Sequence, residues 1–220
     1  GISSDERFQM IKDNPAKYFE YRTRAKGAIF GWVYGISLEG YQIFLKNVYG
    51  ITASMKECEI HRDAVFSKYT KLEKSHRYYR KLGRKQGYVE TLFGRKRRLE
   101  NIKSDNAYKR SEDERLAINN PIQGTSSEYA LISMALLHLR LDYSRARLMN
   151  TVHDSVFYYI KKDYLNEAIK IIIDTCENPP LEQLFNIKQH QAPITMNMDL
   201  EISDDSWGMM EEVDVNKYIS

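Results

Sequence analysis

The stretch Arg22-Thr23-Arg24-Ala25-Lys26-Gly27-Ala28-Ile29-Phe30-Gly31-Trp32-Val33-Tyr34-Gly35 decides how the rest of this sequence is read. Arg22, Lys26, Phe30 and Tyr34 recur every four residues. In an α-helix that spacing places them along one gently drifting face, about 18 Å long at ~1.5 Å per residue. Two cations lie toward one end and two aromatic rings toward the other. A nucleoside triphosphate has the same polarity, with charged phosphates at one end and a flat base at the other. Arg forks onto phosphate oxygens, and Lys supplies a compact charge. The same spacing also suits a packed helix with snorkelling cations.

Working outward, Ser3-Ser4-Asp5-Glu6 reads as a helix start, and the helical pattern that follows ends near Asn14-Pro15. Residues 16–34 predict a helix with Gly31 and Gly35 at its far end. A short helix from Leu38 to Val48 is stopped by Gly50. Residues 52–85 predict one long charged helix, with Ala64, Val65, Tyr69 and Leu72 at helical spacing and Gly87 at its end. Residues 88–95 read as strand, turn and strand. Ser111 to Leu139 is helical, with Pro121 as a kink. Arg147 to Ile160 reads as two strands joined at His153-Asp154. An amphipathic helix from Leu165 to Cys176 and a final strand from Ile194 to Ile202 complete the pattern. The class is α+β, with helices expected on one face of an antiparallel sheet in the second half.

Bulk properties fit a folded chain of one large or two small domains. There are 220 residues, and 42% are hydrophobic, which excludes a disordered composition. Sixteen tyrosines suit core and surface packing, with a few free to stack on bases. Net charge is only +3, but residues 71–98 hold eleven Lys or Arg against two Glu, and residues 199–220 hold seven acids against one Lys. The basic run suits phosphate contact and equally suits a solvated helix face. Cys58 and Cys176 match no zinc or redox spacing, and a reduced, intracellular protein is expected. No signal peptide and no membrane span is read.

Two further motifs carry chemistry. Val152-His153-Asp154-Ser155-Val156 sets a carboxylate on a tight turn between apolar strands, where it suits a divalent metal or serves only the turn. Glu114-Arg115-Leu116-Ala117-Ile118-Asn119-Asn120-Pro121-Ile122-Gln123-Gly124-Thr125 spaces Arg115, Asn119 and Gln123 by four. Such donors can meet the minor-groove acceptors shared by every correct base pair, or they can be the polar side of a capped helix.

Together with the connector Gln86-to-Arg98, these motifs resemble, in order and spacing from Ala16 to Trp207, the fingers and palm of family A DNA polymerases. The Met209-Met210-Glu211-Glu212 tail lies outside the likeness. The resemblance implies a helical fingers subdomain over 1–105, the C-terminal part of a palm over 106–212, and a tail over 213–220. It implies that Arg22, Lys26, Phe30 and Tyr34 bind the incoming dNTP, with Lys26 also the general acid for the pyrophosphate leaving group. Phe at position 30 implies discrimination against dideoxynucleotides. Arg115, Asn119, Gln123 and His153 fall at positions that touch primer–template DNA. Asp154 falls at the catalytic, metal-binding Asp for two Mg²⁺ ions. Ser155 stands where the family usually has Glu, which removes an auxiliary carboxylate.

The resemblance also implies what these residues lack. The family's first metal-binding Asp, in motif A, and its thumb lie upstream of the triphosphate helix, and only 21 residues precede Arg22. Either these residues are a deliberate fragment or the gene is split; the preferred expectation is a split polymerase, inactive alone, whose partner is an N-terminal chain carrying motif A and the thumb. Its setting would be a host cytoplasm for a phage gene, or an organelle. Two other readings stay open. Single-subunit RNA polymerases share the Arg, Lys and Tyr-Gly spacing and often read His-Asp-Ser; a non-catalytic DNA-binding subunit would show decay of Lys26 or Asp154.

Overall fold

The computed structural model describes residue 9 and residues 13–187 and 198–219. The expected helix start at Ser3–Glu6 and residues 194–197 of the last expected strand lie outside the described residues. The class is α+β, and the chain divides into two compact units, Gly1–Ile122 and Gln123–Ser220.

The first unit opens with α1 (Pro15–Val33), α2 (Leu38–Tyr49), α3 (Met55–Lys68) and α4 (Leu72–Gln86). The α1–α2 corner is built by two local devices. Gly35 turns the chain at φ +75°, and a Cβ there would come within 2.8 Å of Ile118 Cδ1, so only glycine fits. Ser37 then caps α2, its hydroxyl accepting from the Gly40 N–H at 3.0 Å. Gly50 ends α2 in the left-handed region, as its position in the sequence implies. Trp32, Tyr41, Leu45, Ala53 and Cys58 form the core between these helices, with the Trp32 and Tyr41 rings 4.6 Å apart.

The single helix expected over 52–85 is two helices, α3 and α4, broken at Tyr69–Lys71. No Gly or Pro marks the break, so the pattern did not signal it. Packing supplies the reason. The Phe66 and His76 rings meet edge-on at 6.0 Å. In one straight helix these residues would stand about 15 Å apart along the axis. His76 Nε2 also reaches the Val33 carbonyl at 2.9 Å. Tertiary contact outweighs helix propensity here.

Ser54 opens α3 with a capping box: its hydroxyl accepts from the Glu57 N–H at 3.3 Å, and the Glu57 carboxylate accepts from the Ser54 N–H at 2.7 Å. Ser54→Ala is expected to lower stability by about 1 kcal/mol. The urea midpoint of the chain checks this, and an unchanged midpoint counts against the cap.

A hairpin follows, β1 (Tyr88–Glu90) against β2 (Lys96–Arg98), turning at Gly94 with φ +84°. The strands are shorter than expected because Thr91 closes the loop itself: its hydroxyl accepts from the Arg95 N–H at 3.1 Å. Val89, Leu99, Ile102 and Ala117 form a second core beneath the hairpin. Ala117 lies on α5 (Ala107–Arg140), a 34-residue helix that carries Pro121 inside it.

The second unit holds the rest of α5 and the hairpin β3 (Ala146–Val152) with β4 (Ser155–Ile160). Its register runs from Ala146↔Ile160 to Val152↔Ser155, with an irregularity between Leu148 and Asn150. Helix α6 (Leu165–Glu177) lays Ala168, Ile172 and Cys176 against Leu137, Leu141, Ala146 and Tyr164. Tyr129 donates to the Cys176 carbonyl at 2.6 Å, and burial pushes the Cys176 thiol up to about 11. Short elements close the unit: α7 (Leu181–Phe185), β5 (Leu200–Ile202) paired with β6 (Glu211–Val213), and α8 (Asn216–Ile219). The described strands form three separate two-stranded antiparallel sheets. Among the described residues no helix is long and apolar enough to cross a membrane.

Candidate functional site

Helix α1 carries Arg22, Lys26 and Phe30, and Tyr34 follows directly on its last residue, its N–H donating to the Phe30 carbonyl at 2.9 Å. Arg22, Lys26 and Phe30 are exposed, and Tyr34 is half-buried. The Phe30 and Tyr34 rings stack at 5.8 Å with planes 11° apart. The Lys26 ammonium sits 5.6 Å from the Phe30 ring centre, within cation–π range. Trp32 points the other way into the core and is 2% exposed. The helix can therefore keep one face open because its other face is held. Gly27 contributes, since a Cβ there would strike the Tyr49 side chain.

Along α5, Arg115 and Gln123 are exposed and Asn119 is half-buried. The Asn119 Oδ1 is buried without a hydrogen-bond partner among the described residues. A satisfied structural Asn would have one. On the held side of α5, Ala117 and Ile118 are buried, and the Asp113 carboxylate accepts from the Asn101 N–H at 2.6 Å. Glu114 is held by Arg84 and approached by Arg80 Nε at 3.6 Å. These arginines belong to the basic run, so part of that run is spent on an internal ion-pair network. Arg97 and Arg98, on β2, are exposed. Lys96 lies over the Tyr88 ring at 4.8 Å and 3.5 Å from Glu90.

In the second unit, the Val152↔Ser155 pair closes a two-residue turn. His153 takes φ +56° at its tip, a conformation His tolerates better than β-branched residues. Asp154 follows, exposed, and its carboxylate makes no hydrogen bond or ion pair among the described residues. That leaves its oxygens open to a hard divalent cation, which the donor chemistry suits. No group of three or more His, Cys, Asp or Glu among the described residues could hold a metal.

The structure brings Lys26, Phe30 and Tyr34 together at the end of α1, places Arg22 exposed one turn before Lys26, and spaces Arg115, Asn119 and Gln123 along another helix. It places His153 and Asp154 at one hairpin tip. Sequence reasoning passed over Glu114 and Trp32, whose roles depend on contacts from distant segments.

Residues 8–208 match the model of DNA polymerase family A. The chain belongs to that family. The DNA polymerase of Bacillus phage SP01 is 38% identical over 183 residues, covering 82% of this chain and 20% of that protein. DNA polymerase I of Streptococcus pneumoniae serotype 4 is 36% identical over 158 residues, covering 71% of this chain and 17% of that protein. Among solved structures, the POL domain of Pol1 from M. smegmatis, in complex with DNA primer-template and dNTP, superimposes with a TM-score of 0.65 at 27% identity. That match covers 72% of this chain and 27% of that one. The chain spans about one fifth, or less, of the length of these curated polymerases.

Proposed function

We propose that this chain supplies the fingers (1–105) and the C-terminal part of the palm (106–212) of a DNA-directed DNA polymerase. The observation that carries this reading is the open face of α1, where two exposed cations precede a stacked pair of rings. Arg22 and Lys26 bind the triphosphate, and Phe30 and Tyr34 offer their rings to the base end of the nucleotide. Arg115, Asn119 and Gln123 donate to minor-groove acceptors of the primer–template, with His153 near the primer terminus.

Asp154 would hold Mg²⁺. When bound, such ions activate the primer 3′ oxygen and offset the charge of the departing pyrophosphate. The remaining carboxylate comes from a segment outside these residues, which we assign to a partner chain carrying motif A and the thumb. Exposed Leu148 and Met149 on β3, with Tyr159 on β4, support a covering partner, because a two-stranded sheet leaves its apolar side chains open. The phage relative supports a host-cytoplasmic setting.

Primer extension with Mg²⁺ tests the reading, on this chain alone and after co-expression with neighbouring gene products. Extension of a DNA primer with deoxynucleotides only in the co-expressed sample is expected. Preferential use of ribonucleotides would instead make it an RNA polymerase, the outcome that Ser155 leaves open. Tight DNA binding with no extension in either sample would leave a fragment of a longer polymerase or a non-catalytic subunit.

Phe30→Tyr is expected to raise dideoxynucleotide incorporation relative to deoxynucleotide incorporation in the assembled enzyme. Chain-termination ratios on one template measure this. An unchanged ratio would remove Phe30 from sugar discrimination.

A further inference from the structure

Behind α1, on the side away from Arg22 and Lys26, lies a cleft of about 260 Å³. Trp32, Ile36, Leu38 and Phe66 form its apolar wall, and Arg62, Arg77, Arg80, His76 and Glu73 form its polar wall. Two buried donors there make no hydrogen bond among the described residues: the Trp32 indole Nε1, and the Arg80 Nε, whose only contact of this kind is the longer ion pair to Glu114 Oε2 at 3.6 Å. Both are N–H groups with no acceptor capacity, so only an acceptor can satisfy them. Trp32 is 2% exposed, so bulk water does not reach it freely.

The charge balance has the same sign. Three guanidiniums face one carboxylate, and that carboxylate, Glu73, approaches Arg77 only to 4.0 Å. Two acids outside the lining pair with the same arginines: Asp63 holds Arg62 at 2.9 Å, and Glu114 is shared between Arg84 and Arg80, the latter at 3.6 Å. With Arg84 counted, four guanidiniums still exceed three carboxylates by one. Burial, together with the Arg80 charge, holds the His76 imidazole below its ordinary pKa, so it adds a polar wall without adding charge at neutral pH.

We infer that this cleft is a second phosphate site, separate from the nucleotide face of α1, with Arg62, Arg77, Arg80 and the Trp32 N–H as its donors. Guanidinium forks match tetrahedral phosphate oxygens, and the indole supplies one directed donor. The volume lies just below the range of ordinary small-molecule pockets, which suits one or two phosphate groups rather than a large cofactor. Two sources share this chemistry: a free phosphate or pyrophosphate, and the phosphodiester of a single strand. The site stands independently of the catalytic reading, because none of its donors belongs to the α1 face or the Asp154 hairpin.

Trp32 is its own reporter. The chain has two tryptophans, and Trp207→Phe leaves Trp32 as the single indole. In that background, pyrophosphate, inorganic phosphate and a short single-stranded DNA are titrated at matched ionic strength while Trp32 emission is followed. A saturable change is expected with at least one probe. It should weaken about tenfold or more in Arg62→Gln/Arg77→Gln, whose lost charge-assisted bonds are worth that much. It should persist in Arg22→Ala/Lys26→Ala, which disables the opposite face. Arg62 and Arg77 are partly and largely exposed, so circular dichroism should show both variants folded. A stronger response to the oligonucleotide than to pyrophosphate assigns the site to a nucleic-acid strand, and the reverse assigns it to the free anion. No saturable change with any probe overturns the site. So does a change that survives Arg62→Gln/Arg77→Gln, or one that disappears in Arg22→Ala/Lys26→Ala.

Discussion

Asp154→Ala is expected to leave the assembled polymerase able to bind primer–template and unable to extend it. The carboxylate is exposed at the tip of the β3–β4 turn and has no protein partner among the described residues, so its removal costs little in folding. The turn itself rests on the Val152↔Ser155 backbone pairing and on His153, which carries the positive φ. What alanine removes is a negative charge held at a fixed place, and with it the attraction for a divalent cation. Metal-assisted charge stabilisation is worth several kcal/mol. A loss of about 4 kcal/mol is roughly a thousandfold in rate. Single-turnover extension should therefore fall by about a thousandfold or more, while the DNA dissociation constant stays within about threefold. Turnover above about a tenth of the unsubstituted rate would refute the ligand assignment. A matching collapse in DNA affinity would mean that Asp154 shapes the hairpin rather than the chemistry.

What the sequence made legible follows from how local each feature is. The face of α1 depends only on a spacing of four and on Gly35 at its end. The structure shows Arg22, Lys26 and Phe30 open and the two rings stacked. The β3–β4 hairpin was equally legible, because apolar β-formers flank a short polar turn on both sides. Glycines placed the ends of α2 and α4 correctly, since Gly50 and Gly87 both sit at positive φ.

The break between α3 and α4 was not legible. Tyr69, Thr70 and Lys71 contain no breaker, and the turn exists because Phe66 and His76 meet and His76 reaches α1. Contacts between residues 43 apart leave no mark on local periodicity. The basic run was legible as charge but not as use. Arg80 and Arg84 turn toward Glu114, 34 and 30 residues away, whereas Arg97 and Arg98 stay exposed. The cleft behind Trp32 was hidden for the same reason: its walls come from α1, α3, α4 and the α1–α2 corner, which only the fold brings together.

Lys26→Ala is expected to reduce turnover by about a hundredfold or more, with primer–template affinity nearly unchanged. Lys26 is exposed and lies beside the Phe30 ring, an arrangement that holds the ammonium to one side of α1 without burying it. In the proposed reaction its proton goes to the pyrophosphate as the bond to the α-phosphorus breaks. General acid catalysis by a positioned group contributes typically 10²–10⁴-fold. The charge matters most as negative charge builds on the leaving group, so the loss should fall on the rate constant more than on nucleotide binding. Arg22 remains to hold the triphosphate in the ground state. Lys26→Arg separates the two roles, because arginine keeps the charge and cannot give up a proton. If Lys26 acts as an acid, the arginine variant recovers nucleotide affinity and leaves turnover low. If it acts only as a charge, the arginine variant recovers both. Pre-steady-state extension over a range of deoxynucleotide concentrations yields the rate constant and the nucleotide dissociation constant together. An equal loss in DNA affinity, measured by titration of labelled primer–template, would move Lys26 from the chemistry to the DNA track.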